Sequence, residues 1–192
     1  MRRDPRLGAL IKRVGPCRLA ESGGDPFVGL VRVILSQQLS VGAANTIFGR
    51  VAGLAGNAGA LAPAAVLGLD ATALRAAGVS RPKISYLYDL AERVADGRLD
   101  LEGISRVPDD EVIAAITSVR GLGRWSADMH LIFRLNRPDV WPVGDLGIVK
   151  GVQKLFDMRR PPALRTLERL ARPWRPYRSV AAWYLWRIHE TS

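Results

Sequence analysis

The chain has 192 residues, 48% of them hydrophobic and 24% charged, which excludes a disordered polymer and allows one or two small domains with a real core. A formal net charge of +10 favours a polyanionic partner, and no apolar run approaches the roughly 18 residues that span a bilayer. No basic amphipathic helix with a bulky, separate apolar face is visible, so no membrane partner is expected. Cys17 is the only cysteine, and His130 and His189 are the only histidines. A disulfide framework, a cysteine-ligated iron–sulfur cluster and the usual histidine zinc sites are therefore excluded.

In chain order, Met1-Arg2-Arg3-Asp4-Pro5 has charge but no signal-peptide core behind it, so the expected location is cytoplasmic, or nuclear in a nucleated cell. Hydrophobic periodicity predicts a short amphipathic helix over Arg6 to Val14. Asp25-Pro26 is a cap with a proline at the first helical position, opening a helix from Phe27 to Gln38. Ser40 caps the next helix, which ends in the Gly53 to Gly59 region. Pro63 to Leu69 and Asp70 to Ala77 read as two short helices, and Ser80 starts a longer one through Ala95. Pro108-Asp109-Asp110-Glu111 is a strong helix start, with three acids at the positive end of the dipole. Further helices follow at Arg124 to Leu135, Asp145 to Phe156, Pro162 to Ala171 and Tyr177 to Ile188. No strand alternation and no fixed repeat is visible, so the fold class is all-α.

The chain is organised around Ile116 to Asp145. An apolar helix ends near Ser118, a tight Gly121-Leu122-Gly123 turn follows, and a new helix starts at about Arg124. Two glycines one residue apart allow positive φ and a close backbone approach. The following helix then presents its first unpaired N–H groups, a surface that suits a phosphate oxygen. Pro142-Val143-Gly144 breaks the chain again and sets Asp145 at the head of a further helix. As an N-cap or as a catalytic carboxylate, Asp145 fits that position, and the two roles are compatible. Asp128, inside the preceding helix, reads as a surface charge or a contact to a neighbouring helix. From Arg159 to Arg187 there are eight arginines against the single acid Glu168, a local net of +7 that suits a polyanion.

Val119-Arg120-Gly121-Leu122-Gly123-Arg124-Trp125-Ser126-Ala127 resembles the helix-hairpin-helix of the DNA glycosylase superfamily. Pro142-Val143-Gly144-Asp145-Leu146-Gly147 resembles the loop that carries that superfamily's catalytic aspartate. Within it, the 3-methyladenine DNA glycosylase II branch, the AlkA-like enzymes, is matched by three more segments. They are Ile34 to Ser40, Gly78 to Lys83 with Tyr86-Leu87, and Tyr177 to Trp186.

The resemblance implies a single helix-hairpin-helix unit over 1–192 with two helical subdomains and a cleft between them. About 71–133 would form a six-helix subdomain, and 1–70 would join 134–192 in the second. The N-terminal mixed α/β domain of larger relatives would be absent. It implies a monofunctional glycosylase of base excision repair that hydrolyses the bond to alkylated N3- or N7-methyl purines in duplex DNA. The protein would act as a monomer in the cytoplasm, nucleoid-associated. Asp145 is the implied catalytic residue. Gly121, Leu122, Gly123, Arg124 and Ser126 would bind the DNA backbone. Gln38, with Leu39 as its apolar neighbour, would be the wedge that fills the gap left by a flipped base.

Trp125, Trp183, Tyr184 and Trp186 are candidates for stacking on a cationic base. The stripe of Tyr177, Val180, Trp183 and Tyr184 also reads as core, with Trp186 to its side. Trp125 stands where bifunctional relatives carry a lysine, so no lyase activity is expected. No cofactor is required by this reading. The carbonyls of Thr117, Val119 and Gly121 match those that hold a Na+ or K+ ion in the family. Arg120 stands where a proline is common, and Gly144 where an acid often precedes the aspartate. Glycosylases for deaminated or oxidised bases, or a non-catalytic helix-hairpin-helix module, are the alternative readings.

Overall fold

A computed structural model describes residues 4–21, 24–57 and 61–189. Met1-Arg2-Arg3 and Gly59, which entered the sequence expectations, lie outside the described residues. Among the described residues the regular structure is helical, with no strand. The helices are α1 (Pro5–Val14), α2 (Pro26–Ser36), α3 (Val41–Leu54), α4 (Pro63–Gly68), α5 (Ala71–Ala76) and α6 (Arg81–Ala95). They continue with α7 (Asp109–Thr117), α8 (Arg124–Phe133), α9 (Leu146–Leu155), α10 (Leu164–Ala171) and α11 (Arg178–Trp186). Short 3₁₀ turns at Leu19–Glu21, Gly103–Arg106 and Arg172–Trp174 were not visible in the periodicity.

The chain forms two compact units. The first holds the described residues of Met1–Gly23 and Leu131–Ser192, the second those of Gly24–His130. The sequence grouping of 71–133 against the rest differs from this. The described residues of 24–70 pack with the hairpin unit because α2 and α4 both lie on α6.

In the first unit, α1 starts where Asp4 accepts hydrogen bonds from the Arg6 and Leu7 N–H groups, with Pro5 at its first position. Asp4 also accepts from Trp174 Nε1 at 2.9 Å, which ties this cap to the chain ahead of α11. Leu7, Leu10, Ile148, Val152, Leu167, Trp174 and Leu185 form the core. Tyr184 Oη donates to the Gly15 carbonyl at 2.9 Å where α1 ends. In the second unit Leu30, Ile34, Leu74, Leu87, Leu90, Val112 and Ile116 are buried together. Asp109, Asp110 and Glu111 occupy the first turn of α7, where their charge meets the positive helix end.

Several helix ends fall short of the sequence expectation. The second helix stops at Ser36 rather than Gln38, because Lys83 takes its last carbonyls and Gln38 turns left-handed at φ +58°. The eighth stops at Phe133, ahead of Asn136 at φ +50°.

Candidate functional site

In the first unit, Pro142 to Asp145 makes a tight turn closed by the Asp145 N–H donating to the Pro142 carbonyl at 3.0 Å. Asp145 has extended backbone and caps α9, its Oδ1 accepting from the Ile148 N–H at 2.8 Å. The same oxygen accepts from Trp186 Nε1, also at 2.8 Å. So the carboxylate is oriented by two N–H donors, one 3 and one 41 residues further along the chain, one from each of two packed helices.

Two glycines on α9 make that possible. A Cβ on Gly147 would lie 2.8 Å from Trp186 Cδ1, and one on Gly151 would lie 2.8 Å from the Leu185 carbonyl oxygen. Four residues apart, they share one face of α9 and let α11 approach closely. The start of α11 is held by buried Ser179. Its hydroxyl donates to the Arg137 carbonyl at 2.6 Å and accepts from the Val140 N–H at 2.9 Å.

The aromatic candidates separate. Trp186 is half-buried and stacks on Phe133 with ring centroids 5.3 Å apart, so Phe133 takes one face of its ring. Trp183 and Tyr184 are instead core side chains, 5% and 4% exposed. The Arg187 guanidinium lies 3.5 Å over the Trp183 ring, and Tyr184 packs edge-on against it. They are removed from the base-pocket set because neither presents a face, as the core reading of their stripe anticipated. Tyr177, on the same stripe, is exposed. Trp125 is half-buried in the first turn of α8, in the second unit.

The hairpin of the second unit runs from α7 through Gly121-Leu122-Gly123 into α8. Gly121 has φ +79°, and a Cβ there would run into the Tyr86 ring. Glycine is thus required twice, by backbone and by packing. The Arg120 N–H donates to Asp89 Oδ2 at 2.8 Å, and Arg93 pairs with the same carboxylate at 3.0 Å. Burial alone would push the Asp89 carboxyl up, but the Arg120 N–H and the Arg93 guanidinium hold it below the usual carboxylate range. A proline at 120 has no N–H to give, so this contact depends on the departure from the family pattern. Leu122 and Ser126 are buried, whereas Gly123 and Arg124 are exposed. Gly121 is exposed too, so Gly121, Gly123 and Arg124, with the N–H groups at the start of α8, present a surface to a ligand.

Of the two readings of Asp128, a surface charge or a contact to a neighbouring helix, the first does not hold. Asp128 is buried, and its carboxylate takes Arg124 Nε at 2.8 Å one turn back on the same helix. Burial pushes its carboxyl above the usual range, and Arg124 offsets only part of that. His130 is likewise packed inside, while His189 is exposed.

The α2–α3 connection holds both wedge candidates. Gln38 is exposed at its left-handed position, and Leu39, 41% exposed, is not a core residue. Val41 beside it is 80% exposed. Gln37 Nε2 donates to the Gly121 carbonyl at 2.8 Å. That matters for the cation expectation. Gly121 O takes Gln37 and Val119 O takes the Leu122 N–H at 3.1 Å, so two of the three named carbonyls already receive hydrogens. Each of these carbonyl oxygens keeps a second lone pair, so one hydrogen bond apiece does not bar a cation from them. Among the described residues no group of three His, Cys, Asp or Glu side chains could hold a metal ion.

The late arginines also divide. Arg178 grips Asp139 with Nε to Oδ1 at 2.7 Å and Nη2 to Oδ2 at 2.9 Å, and Arg187 covers Trp183. Arg159, Arg160, Arg165, Arg169, Arg172 and Arg175 stay exposed.

Sequence reasoning did not find Phe133, Asp89 or the role of the Gln37 amide. A signal existed for Asp89, three residues beyond Tyr86 and so on the same side of α6. None existed for Phe133, whose partner is 53 residues away.

A family model described as HhH-GPD superfamily base excision DNA repair protein matches residues 31–176. DNA-3-methyladenine glycosylase 1 of Schizosaccharomyces pombe is 36% identical over 193 residues, covering 98% of this chain and 84% of that one. A solved structure of the 3-methyladenine DNA glycosylase of that organism, in complex with abasic DNA, superposes with a TM-score of 0.89 at 33% identity. It covers 97% of this chain and 92% of that chain. A DNA-3-methyladenine glycosidase of Bacillus halodurans superposes at 0.78 with 37% identity, covering 96% and 84%.

Proposed function

The chain belongs to the HhH-GPD superfamily of base excision DNA repair proteins, and from that premise we propose that it is a monofunctional DNA glycosylase for alkylated purines. It hydrolyses the N-glycosidic bond of an N3- or N7-methyl purine flipped out of duplex DNA and leaves an abasic site. The observation that carries this reading is Asp145, a half-buried carboxylate oriented by Ile148 N–H and Trp186 Nε1 at the head of α9.

Breaking the glycosidic bond builds positive charge on deoxyribose. A fixed carboxylate stabilises that charge and orients water toward the sugar carbon. The base leaves with the electron pair of the C–N bond. A methylated purine cation thereby becomes neutral and needs no added proton. The water oxygen bonds to the sugar carbon, and its proton passes to Asp145 and on to solvent. Trp186, with one face on Phe133, offers its other face to the cationic base.

The N–H groups at the start of α8, with Gly123 and Arg124, hold phosphate, while Gln38 and Leu39 fill the space the base vacates. Trp125 occupies the position of the strand-cutting lysine in bifunctional relatives, and an indole forms no Schiff base. That supports hydrolysis without lyase chemistry. The likeness of the whole chain to a glycosylase crystallised on abasic DNA supports duplex DNA as the partner.

The test is single-turnover excision on duplexes carrying one lesion each: 3-methyladenine, 7-methylguanine, hypoxanthine or 8-oxoguanine. Release of the methylated purines, with strand breaks only after alkali, is expected. Faster release of a neutral base would reassign the substrate. Duplex binding with no release of any base would make the chain a non-catalytic module.

A further inference from the structure

We propose that Gln37 is a positioning residue that braces the Gln38–Leu39 turn against the hairpin, so that phosphate anchoring sets the depth of insertion. This rests on the reading above and adds to it a link that neither turn supplies alone. The Gln37 side chain spans 84 residues of sequence to donate its amide to the Gly121 carbonyl at 2.8 Å. Its main chain is held as well, because Lys83 Nζ donates to the Leu35 and Gln37 carbonyls, both at 2.8 Å. Gln37 is therefore gripped at its backbone and at the end of its side chain.

The hairpin end of the link is equally fixed. Tyr86 fills the space beside Gly121 where a Cβ would go, and Asp89 accepts the Arg120 N–H. Lys83, Tyr86 and Asp89 recur every three residues along α6, which brings them to one side of that helix. At a rise of about 1.5 Å per residue they span about 9 Å. One helix side thus supports both turns, and the Gln37 amide joins them directly.

What the brace controls follows from the next residues. Gln38 turns left-handed, and Leu39 and Val41 are left exposed on a turn whose root is fixed. Exposed apolar side chains on a rigid root, beside a phosphate-binding helix start, are preorganised to enter a duplex without further ordering. Without the amide link the phosphate anchor remains, but the distance from it to the inserted side chains is no longer set.

The experiment compares Gln37→Met, which keeps the length and loses the donor, with Gln37→Glu, which puts an acceptor against the Gly121 carbonyl. Affinity is measured for an undamaged duplex and for the same duplex with a tetrahydrofuran abasic-site analogue. Both variants are expected to bind undamaged duplex within about two-fold of wild type. Their preference for the abasic duplex should fall about ten-fold, and Glu should lose more than Met. The fluorescence rise of a 2-aminopurine opposite the analogue, which reports unstacking, should fall with it. Equal weakening on both duplexes, or a preference that survives in both variants, overturns the proposal. A wild-type protein with no preference for the abasic duplex would instead sink the glycosylase reading beneath it. Melting temperature within a few degrees of wild type is the check that a variant is folded, and two variants guard against the loss of one.

Discussion

Replacing Asp145 by Asn separates its two roles. Asn caps a helix about as well as Asp, and its Oδ1 can still accept from Ile148 N–H and Trp186 Nε1. Stability and lesion-duplex binding should hold within a few-fold, while excision falls about 10²–10³-fold, because the charge is needed in the transition state. Binding and folding lost together would leave Asp145 as a cap alone. Trp186 also has two roles, and two substitutions divide them. Trp186→Phe keeps an aromatic face and drops the N–H to Asp145, so excision of cationic and neutral bases should fall in the same proportion. Trp186→Leu drops the π face too, and the preference for a cationic base should fall further by roughly 0.5–2 kcal/mol, about two- to thirty-fold. A ratio unchanged in the leucine variant would take Trp186 out of the pocket.

Asp128 yields a prediction with the opposite sign from most buried charges. Its carboxyl is pushed up by burial, so the folded chain favours the protonated form. That stability is fully present below the ordinary carboxylate range and is lost as pH rises through the raised value. Asn imitates the protonated state, and Arg124, 66% exposed at its side chain, stays solvated when its partner goes. Asp128→Asn should therefore raise the melting temperature at pH 7, with the gain shrinking toward pH 4. A variant less stable at pH 7 would mean that the Arg124 pair outweighs burial.

Between elements, the decisive contact is α9 on α11. A Cβ on Gly151 would press on the Leu185 backbone rather than on a side chain that can swing away. Gly151→Ala should cost about 1–3 kcal/mol, the range for overpacking. At about 2–4 °C per kcal/mol for a chain of this size, calorimetry should show a melting temperature several degrees lower. Since the same helix pair brings Trp186 to Asp145, excision should fall too. Full activity in a chain that melts like wild type would show that the helices can separate at no loss.

This contact also marks where the sequence stops being readable. Helix order and the Asp145 cap follow from local rules: Asp25-Pro26, Ser40, the acids of α7 and the break at Pro142 each act within four residues. The hairpin was legible for the same reason. The bond from Trp186 to Asp145 was not, because it depends on how near α11 comes to α9. Glycines at 147 and 151 permit that approach without announcing it. Trp183 and Tyr184 show the converse. Aromatic residues on a helix advertise burial or binding equally, and only the packing of Arg187 and Gly15 against them decides.

At the scale of the whole molecule the governing quantity is charge. A net of +10 states that a polyanion is attracted but not which cations meet it. Of the eight late arginines, Arg178 is committed to Asp139 and Arg187 to Trp183, leaving six exposed. The two groups should behave differently on the proposed DNA partner. Each phosphate contact releases counterions, and the logarithm of affinity falls against the logarithm of salt with a slope of about −0.9 per contact. Arg169→Gln and Arg172→Gln should each reduce that slope by up to about 1, weakening damaged and undamaged duplex alike, because phosphate contacts position without reading bases. Arg178→Gln should leave the slope unchanged and lower the melting temperature instead, since it leaves the half-buried Asp139 carboxylate without its fork of donors. That carboxylate lies below the usual range: burial alone would raise it, and the Arg178 hydrogen bonds bring it down. The stability it contributes is present above the ordinary carboxylate range and is lost as pH falls through its lowered value. The melting-temperature gap between wild type and Arg178→Gln should accordingly be widest near neutral pH and close in acid. A salt slope altered by Arg178→Gln but untouched by Arg169→Gln and Arg172→Gln together would move the phosphate contacts off the exposed stripe.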